Sequence, residues 1–154
     1  MDKDQEVEEI INRIKLGGCK DGIFIPEGPV YTDERGGIHQ VVGGIPFSSA
    51  IFITSKDGAV RAGHYHLEDY HVCTVTKGSI MYYERPVGSD EPPKVYLIEE
   101  GRSFFTRPMV EHAMLFTQDT DFWCFSRLSR AQDNYEKDTI RLSVDLTAIK
   151  PKTQ

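Results

Sequence analysis

One stretch of the chain carries a helical hydrophobic repeat. Val7, Ile10, Ile11 and Ile14 fall at i, i+3, i+4 and i+7, one face of a helix. Asp4, Glu6, Glu8 and Glu9 stand early in that run and Lys15 late, signs that complement the helix dipole. "GGCKDG" at 17–22 then stops it. The helix is expected to pack on the chain's own sheet, with a dimer contact as the alternative use of its apolar face.

From residue 22 onward the period changes. "GIFIP", "GGIHQVV", "SSAIFITS", "AVRAGHYH", "YHVCTVTKGSIMYYERP", "KVYLIEE", "RSFFTRP", "EHAMLFTQ", "DFWCFSRL" and "TIRLSVDL" are short and rich in β-branched and aromatic residues. Turn residues separate them, which predicts an all-β sandwich or barrel. "PVGSDEPP" reads as a solvent loop between two strands, and Lys77-Gly78 as a hairpin turn. The expected layout is an N-terminal helix and linker over 1–21, a barrel with flanking strands over 22–148, and a tail over 149–154.

Composition narrows the class of partner. A chain of 154 residues suits one domain with a real core. A formal charge of -6 lacks the basic footprint of a nucleic-acid or membrane-surface protein. The acidic start and the lack of a long apolar run predict a cytoplasmic protein. Cys19, Cys73 and Cys124 show no CxxC spacing and read as buried or half-buried free thiols.

The five histidines are unevenly spread, with three of them inside "RAGHYHLEDYH" at 61–71. His64 and His66 are two apart on a strand, so they leave the same face. His71 opens the next strand and shares a face with Cys73 and Val75. If the two strands pair, His71 faces His64 and His66 across the sheet. His112 follows later in "EEGRSFFTRPMVEHAMLF", after a strand begun by Gly101 and ended by Pro108. His39 reads as an ordinary hydrogen-bonded histidine.

That order of HxH, a third candidate five residues on, a glycine seven further and a distant G…P…H resembles the two-part motif of the cupin superfamily, over about residues 48–127. The resemblance implies a cupin double-stranded β-helix, an all-β jelly-roll barrel, here with a short N-terminal α-helix. It also implies a metal or small molecule in the barrel mouth. In metal cupins the ligands are usually His, His, Glu, His; here the positions read His64, His66, His71 and His112. Four imidazoles suit a divalent Fe, Zn, Ni, Cu or Mn ion. The glycine usual after the proline is absent from "PMVEH".

"TDERGGIHQVV", "GAVRAGHYH", "PMVEHAM" and "NYEKDTIRL" resemble cupin enzymes of nucleotide-linked keto sugars, over about residues 32–142. The set is most similar to 3,4-ketoisomerases acting on dTDP-4-keto-6-deoxyhexoses, and more distantly to dTDP-4-dehydrorhamnose 3,5-epimerases. The resemblance implies a homodimer, a nucleotide-sugar substrate, and His64 and His66 as an acid/base pair with Arg61 beside them. Imidazole titrates near 6.5 and can both take and return a carbon-bound proton. Arg61 would stabilise an enediolate or hold a phosphate.

Two features depart from the ketoisomerase pattern: Leu67 replaces its lysine and His71 its glutamine. Trp123 and Phe125 stand where the epimerases carry a tyrosine acid. Of the aromatic residues near the mouth (Tyr65, Tyr70, Tyr82, Tyr83, Phe104 and Phe105), most are expected in the core and one or two against a ligand. Arg127 and Arg130 read as a basic strand end or a diphosphate contact. Two other readings stay open: a metal-dependent dioxygenase or lyase with a four-histidine site, and a non-catalytic cupin that binds a small ligand.

Overall fold

The structure, a computed structural model, describes residues 2–16, 24–25 and 30–151. Cys19 and the expected helix stop at 17–22 lie outside them. Helix α1 spans Lys3–Leu16, as the repeat predicts. Ile10 is buried against Tyr70, Val72 and Phe105, with Val7 packed alongside, so this face of the helix covers the chain's own sheet. Arg127 ties the helix down through Glu6 at 2.6 Å.

The described strands are β1 (Phe24–Ile25), β2 (Val30–Asp33), β3 (Gly36–His39), β4 (Ser49–Ser55), β5 (Val60–His66), β6 (His71–Lys77), β7 (Ser79–Pro86), β8 (Lys94–Glu99), β9 (Ser103–Thr106), β10 (Val110–Phe116), β11 (Thr120–Ser126) and β12 (Thr139–Arg141). One sheet runs β1-β9-β6-β11-β4 and the other β12-β5-β10-β7-β8, while β2 and β3 form a hairpin apart. All pairings are antiparallel. Successive strands mostly alternate between the two sheets, the winding of a jelly roll.

Alternation explains most of the core. On β11, Thr120, Phe122, Cys124 and Ser126 point inward and are buried, while Trp123 is exposed. Phe104, Phe116 and Phe122 join Val75, Ile80, Tyr82 and Ile98 between the sheets, each large side chain worth about 2–3 kcal/mol by burial. Strand β9 is buried on both faces because Phe104 enters the barrel and Phe105 meets α1. The adjacent Phe104-Phe105 pair therefore reflects two covered faces.

Two expectations about turns are corrected. Strands β5 and β6 do not pair; they lie in opposite sheets, so His71 meets the other histidines across the barrel interior. Likewise Lys77-Gly78 is not a hairpin, since β6 and β7 also lie in opposite sheets. The chain turns there at Gly78, with φ +82°, where a Cβ would come within 2.5 Å of Thr120 Oγ1 and 2.6 Å of the Asp119 carbonyl. Only glycine fits that corner.

Sequence reading also misses a helix. α2 covers Gln132–Asp138, between β11 and β12. It lies inside the "NYEKDTIRL" stretch and is too short to display a hydrophobic repeat.

Candidate active site

Strand β5 delivers His64 and His66 to the same inward face, both buried. Their ring centroids are 4.7 Å apart. Opposite His64 on the neighbouring β10 stands His112, with centroids 4.8 Å apart. His71, from the other sheet, reaches within 4.5 Å of the His66 ring. The four histidines of the sequence pattern thus converge, while His39 is on the exposed β3.

Two irregularities make this possible. Ala62 and Gly63 both take left-handed backbone angles, φ 64° and 70°, and the β5–β10 register shifts there. This bulge re-aims the strand and lets Arg61 line the same cavity as His64. Its guanidinium is anchored on β4, donating to Ser55 Oγ at 2.7 Å and the Thr54 carbonyl at 2.8 Å. The second irregularity is Met109, φ 58°, at the place where the cupin pattern carries glycine. Its N–H donates to the His66 carbonyl at 2.8 Å, holding the turn that leads into His112.

Each ring has its own orientation device. His66 Nδ1 lies 3.1 Å from Asp138 Oδ2, and Asp138 is itself fixed by the N–H groups of Glu68 at 2.8 Å and Asp69 at 3.2 Å. His112 Nδ1 donates to the Val110 carbonyl at 3.0 Å. Both rings therefore turn Nε2 away from these partners, and His66 Nε2 is a buried polar atom with no hydrogen-bond partner. A buried ring nitrogen without a partner is costly unless something binds it. His71 differs: its Nε2 sits 3.0 Å from Asp69 Oδ2, and Cys124 shares its cavity.

Electrostatics separate the rings in the same way. Burial, then repulsion from His112 and His71, lowers His64 to about 3. Burial, then the neighbouring rings, pushes His66 lower still. His112 falls to about 4 by burial, against the Val110 carbonyl bond. These three are neutral at pH 7 and offer lone pairs. Burial would lower His71 as well, but Cys124 and Asp69 outweigh it and hold the ring up to about 10. Cys124 is driven well down by its bond to Cys73, against its burial and helped by His71, and Cys73 goes well up.

A cavity of about 140 Å³ joins these groups, lined by Arg61, His64, His71, Cys73, His112, Cys124, Arg130 and Tyr135 with apolar neighbours. Tyr135 and Asp138 come from α2. The Tyr135 ring stands 6.3 and 6.1 Å from those of His64 and His66, under the Arg130 guanidinium at 4.4 Å. Arg127 is taken up by Glu6 and the Tyr70 ring. Of the six aromatic residues expected near the mouth, Tyr70, Tyr82, Tyr83, Phe104 and Phe105 are core, and none of the six is among the cavity's lining residues. Sequence reading assigns no role to Asp138, Asp69 or Tyr135, although "NYEKDTIRL" and "RAGHYHLEDYH" contain them. Asp138 and Tyr135 reach the histidines only when α2 folds back, while Asp69 stands two residues from His71.

For a metal, His64, His66 and His112 form one group whose ring nitrogens lie within 4.8 Å of one another, and His66, Asp69 and His71 form another. The three-histidine group fits a borderline divalent ion, since its members are neutral and His66 Nε2 is free to bind. His71 is not in that group. Among the described residues no helix is long and apolar enough to cross a membrane.

No protein-family model and no curated protein matches the sequence. Solved structures do match. QdtA, a sugar 3,4-ketoisomerase from Thermoanaerobacterium thermosaccharolyticum in complex with TDP, aligns with TM-score 0.62 at 17% identity, over 76% of this chain and 85% of that one. A 3,4-ketoisomerase from Helicobacter canadensis gives 0.62 at 17%, over 75% and 86%. The rmlC epimerase of Mycobacterium tuberculosis gives 0.65 at 14%, over 81% and 72%. At these identities the likeness is one of fold: the chain has the double-sheet jelly roll of these ketoisomerases and this epimerase.

Proposed function

We propose that the chain is a sugar-nucleotide isomerase of the 3,4-ketoisomerase kind, with His64 and His66 as its acid/base pair. The observation that carries this reading is the His66 ring: neutral, buried beside the cavity-lining rings of His64 and His71, Nδ1 held by Asp138 and Nε2 unpartnered. The fold shared with TDP-binding ketoisomerases supports the substrate class.

On this reading His66 Nε2 removes the proton from C3 of a 4-keto-6-deoxyhexose, beside the ketone. The electron pair moves into a C3–C4 double bond and the C4 oxygen becomes an enediolate. Protonation at C4 and loss of the O3 proton leave the ketone at C3, with atoms and charge balanced. His64, 4.7 Å away, passes the proton between positions. Such proton transfers contribute about 10²–10⁴-fold each. Asp138 favours the tautomer with the proton on Nδ1, and Arg61 would stabilise the enediolate.

The test is incubation of the purified chain with dTDP-4-keto-6-deoxyglucose in deuterated water. Migration of the carbonyl to C3 with deuterium at C4, the former carbonyl carbon, is expected, and its loss in His66→Asn. Absence of turnover, with no thermal stabilisation by TDP, UDP or GDP, would overturn the reading in favour of a cupin that binds some other small ligand.

A metal-dependent reading rests on the cluster of His64, His66 and His112. Such an ion would supply Lewis-acid or oxygen chemistry, with those three residues holding it through neutral nitrogens. Near-stoichiometric metal in untagged protein, lost in His112→Ala, would favour it over the proton shuttle.

A further inference from the structure

The barrel holds a second reactive group that the imidazole chemistry leaves unused. Cys73 on β6 and Cys124 on β11 stand directly opposite each other in an antiparallel ladder. Both are free and buried, and both line the cavity.

The hydrogen-bond parity of the ladder decides how closely they approach. Val75 exchanges its backbone bonds on the β9 side, accepting from the Gly101 N–H at 2.8 Å and donating to the Arg102 carbonyl at 3.1 Å. The Tyr70 carbonyl accepts from Arg127 at 3.2 Å, on the β11 side. Along this segment, odd-numbered residues therefore turn their backbone groups toward β9 and even-numbered ones toward β11. Strand β11 agrees. The Ser126 carbonyl accepts from Ser48 at 2.7 Å, on the β4 side, so Cys124, two residues back, also turns its backbone away from β6. The cysteines thus form a non-hydrogen-bonded pair, the kind whose Cα atoms come to about 4.5 Å with side chains closest. That separation lies within the roughly 4.4–6.8 Å that a disulfide spans. Cys124 also shares the cavity with His71, which Asp69 orients at 3.0 Å.

We propose that Cys73 and Cys124 are a redox-active pair that closes to a cross-strand disulfide when hydrogen peroxide enters the cavity. The Cys124 sulfur attacks one peroxide oxygen and the O–O bond breaks. The departing oxygen leaves as water with the thiol proton, and a sulfenic acid remains. The Cys73 sulfur then attacks that sulfur, the S–OH bond breaks, and a second water leaves. Two thiols give up two electrons and two protons, and one hydrogen peroxide becomes two waters. A dithiol reductant reverses the step. Closure withdraws Cys124 from His71, so the state of the pair reaches the imidazole cluster.

The experiment is mass spectrometry of the full chain and does not depend on the sugar-nucleotide reading. Reduced protein is treated with hydrogen peroxide, freed of it, and alkylated in denaturant. The chain has three cysteines, so the alkylated thiols should fall from three to one, with the mass lowered by two hydrogens. A non-reducing peptide map should join the Cys73 peptide to the Cys124 peptide, and dithiothreitol should restore all three thiols. Cys19→Ser should keep the same linkage. Recovery of Cys73 and Cys124 as alkylated thiols, a link through Cys19, or sulfinic acid at Cys124 beside a free Cys73 would each overturn the proposal.

Discussion

Acid should destabilise this protein well before its carboxylates are protonated, and the buried histidines set the size of the effect. His64, at about 3, and His112, at about 4, stay neutral in the folded chain at pH 5, and so does His66, which burial pushes lower. Unfolded, each titrates near 6.5. Between those values the unfolded chain binds protons that the folded chain does not, so stability falls as pH falls. At about 1.36 kcal/mol per pH unit, the stretch from 6.5 to 5 costs about 2 kcal/mol per ring, or about 6 for the three. The result is insensitive to how far below 5 each folded value lies. His71, held up to about 10, works the other way: folded it keeps its proton throughout, while the unfolded ring gains one as pH falls from 7.5, which returns about 1.4 kcal/mol. A net loss of about 4.5 kcal/mol between pH 7.5 and 5 is still close to the whole stability of many domains. Urea unfolding followed by Trp123 fluorescence, at constant ionic strength with chelator present, reads the effect directly. With a slope of about 2 kcal/mol per molar, the midpoint should drop by about 2 M between pH 7.5 and 5. His112→Gln should make that drop smaller by about 1 M. An unchanged or higher midpoint at pH 5 would refute the reasoning.

Other outcomes follow from single contacts. Asp138→Asn sets an amide N–H₂ against the Asp69 N–H or the His66 ring, so kcat should fall by about 10²-fold or more with little change in KM; chemical denaturation should also show a loss of about 1.5–3 kcal/mol. Met109→Gly relieves a left-handed residue at φ 58° and should raise stability by about 1 kcal/mol, read as a higher Tm. On the alkaline side the sign reverses: stability held by protonated His71 is present below 6.5 and should be lost as pH rises toward about 10, in a pH series that Asp69→Asn flattens. The expected homodimer has a surface to use, since Phe47, Phe52, Trp123 and Phe125 form one aromatic group beside the uncharged β4 edge. Sedimentation should give twice the 17.5 kDa chain mass, and Trp123→Glu should give one copy; a wild-type monomer would refute it.

Much of this protein is legible in one dimension because the relevant periodicities are local. Residues two apart on a strand share a face, so His64 and His66 were bound to point together, and His71, Cys73 and Val75 likewise. The i, i+3, i+4, i+7 repeat marked α1 for the same reason. Turn chemistry separated the strands, and the spacing of the histidines pointed to the cupin barrel. Sheet membership is a different matter. A strand's period says which residues share a face, but not which strand lies beside it, so β5–β6 and β6–β7 read as neighbours when each pair divides between the two sheets. The bulge at Ala62-Gly63, the Asp138 carboxylate brought in by α2, and the meeting of Cys73 with Cys124 arise only when distant segments pack. What a ring nitrogen binds, and whether it carries a proton at pH 7, depends on burial and on partners such as Asp138, 72 residues from His66 along the chain; those are properties of the folded interior, where low dielectric and fixed dipoles act, and no local pattern encodes them.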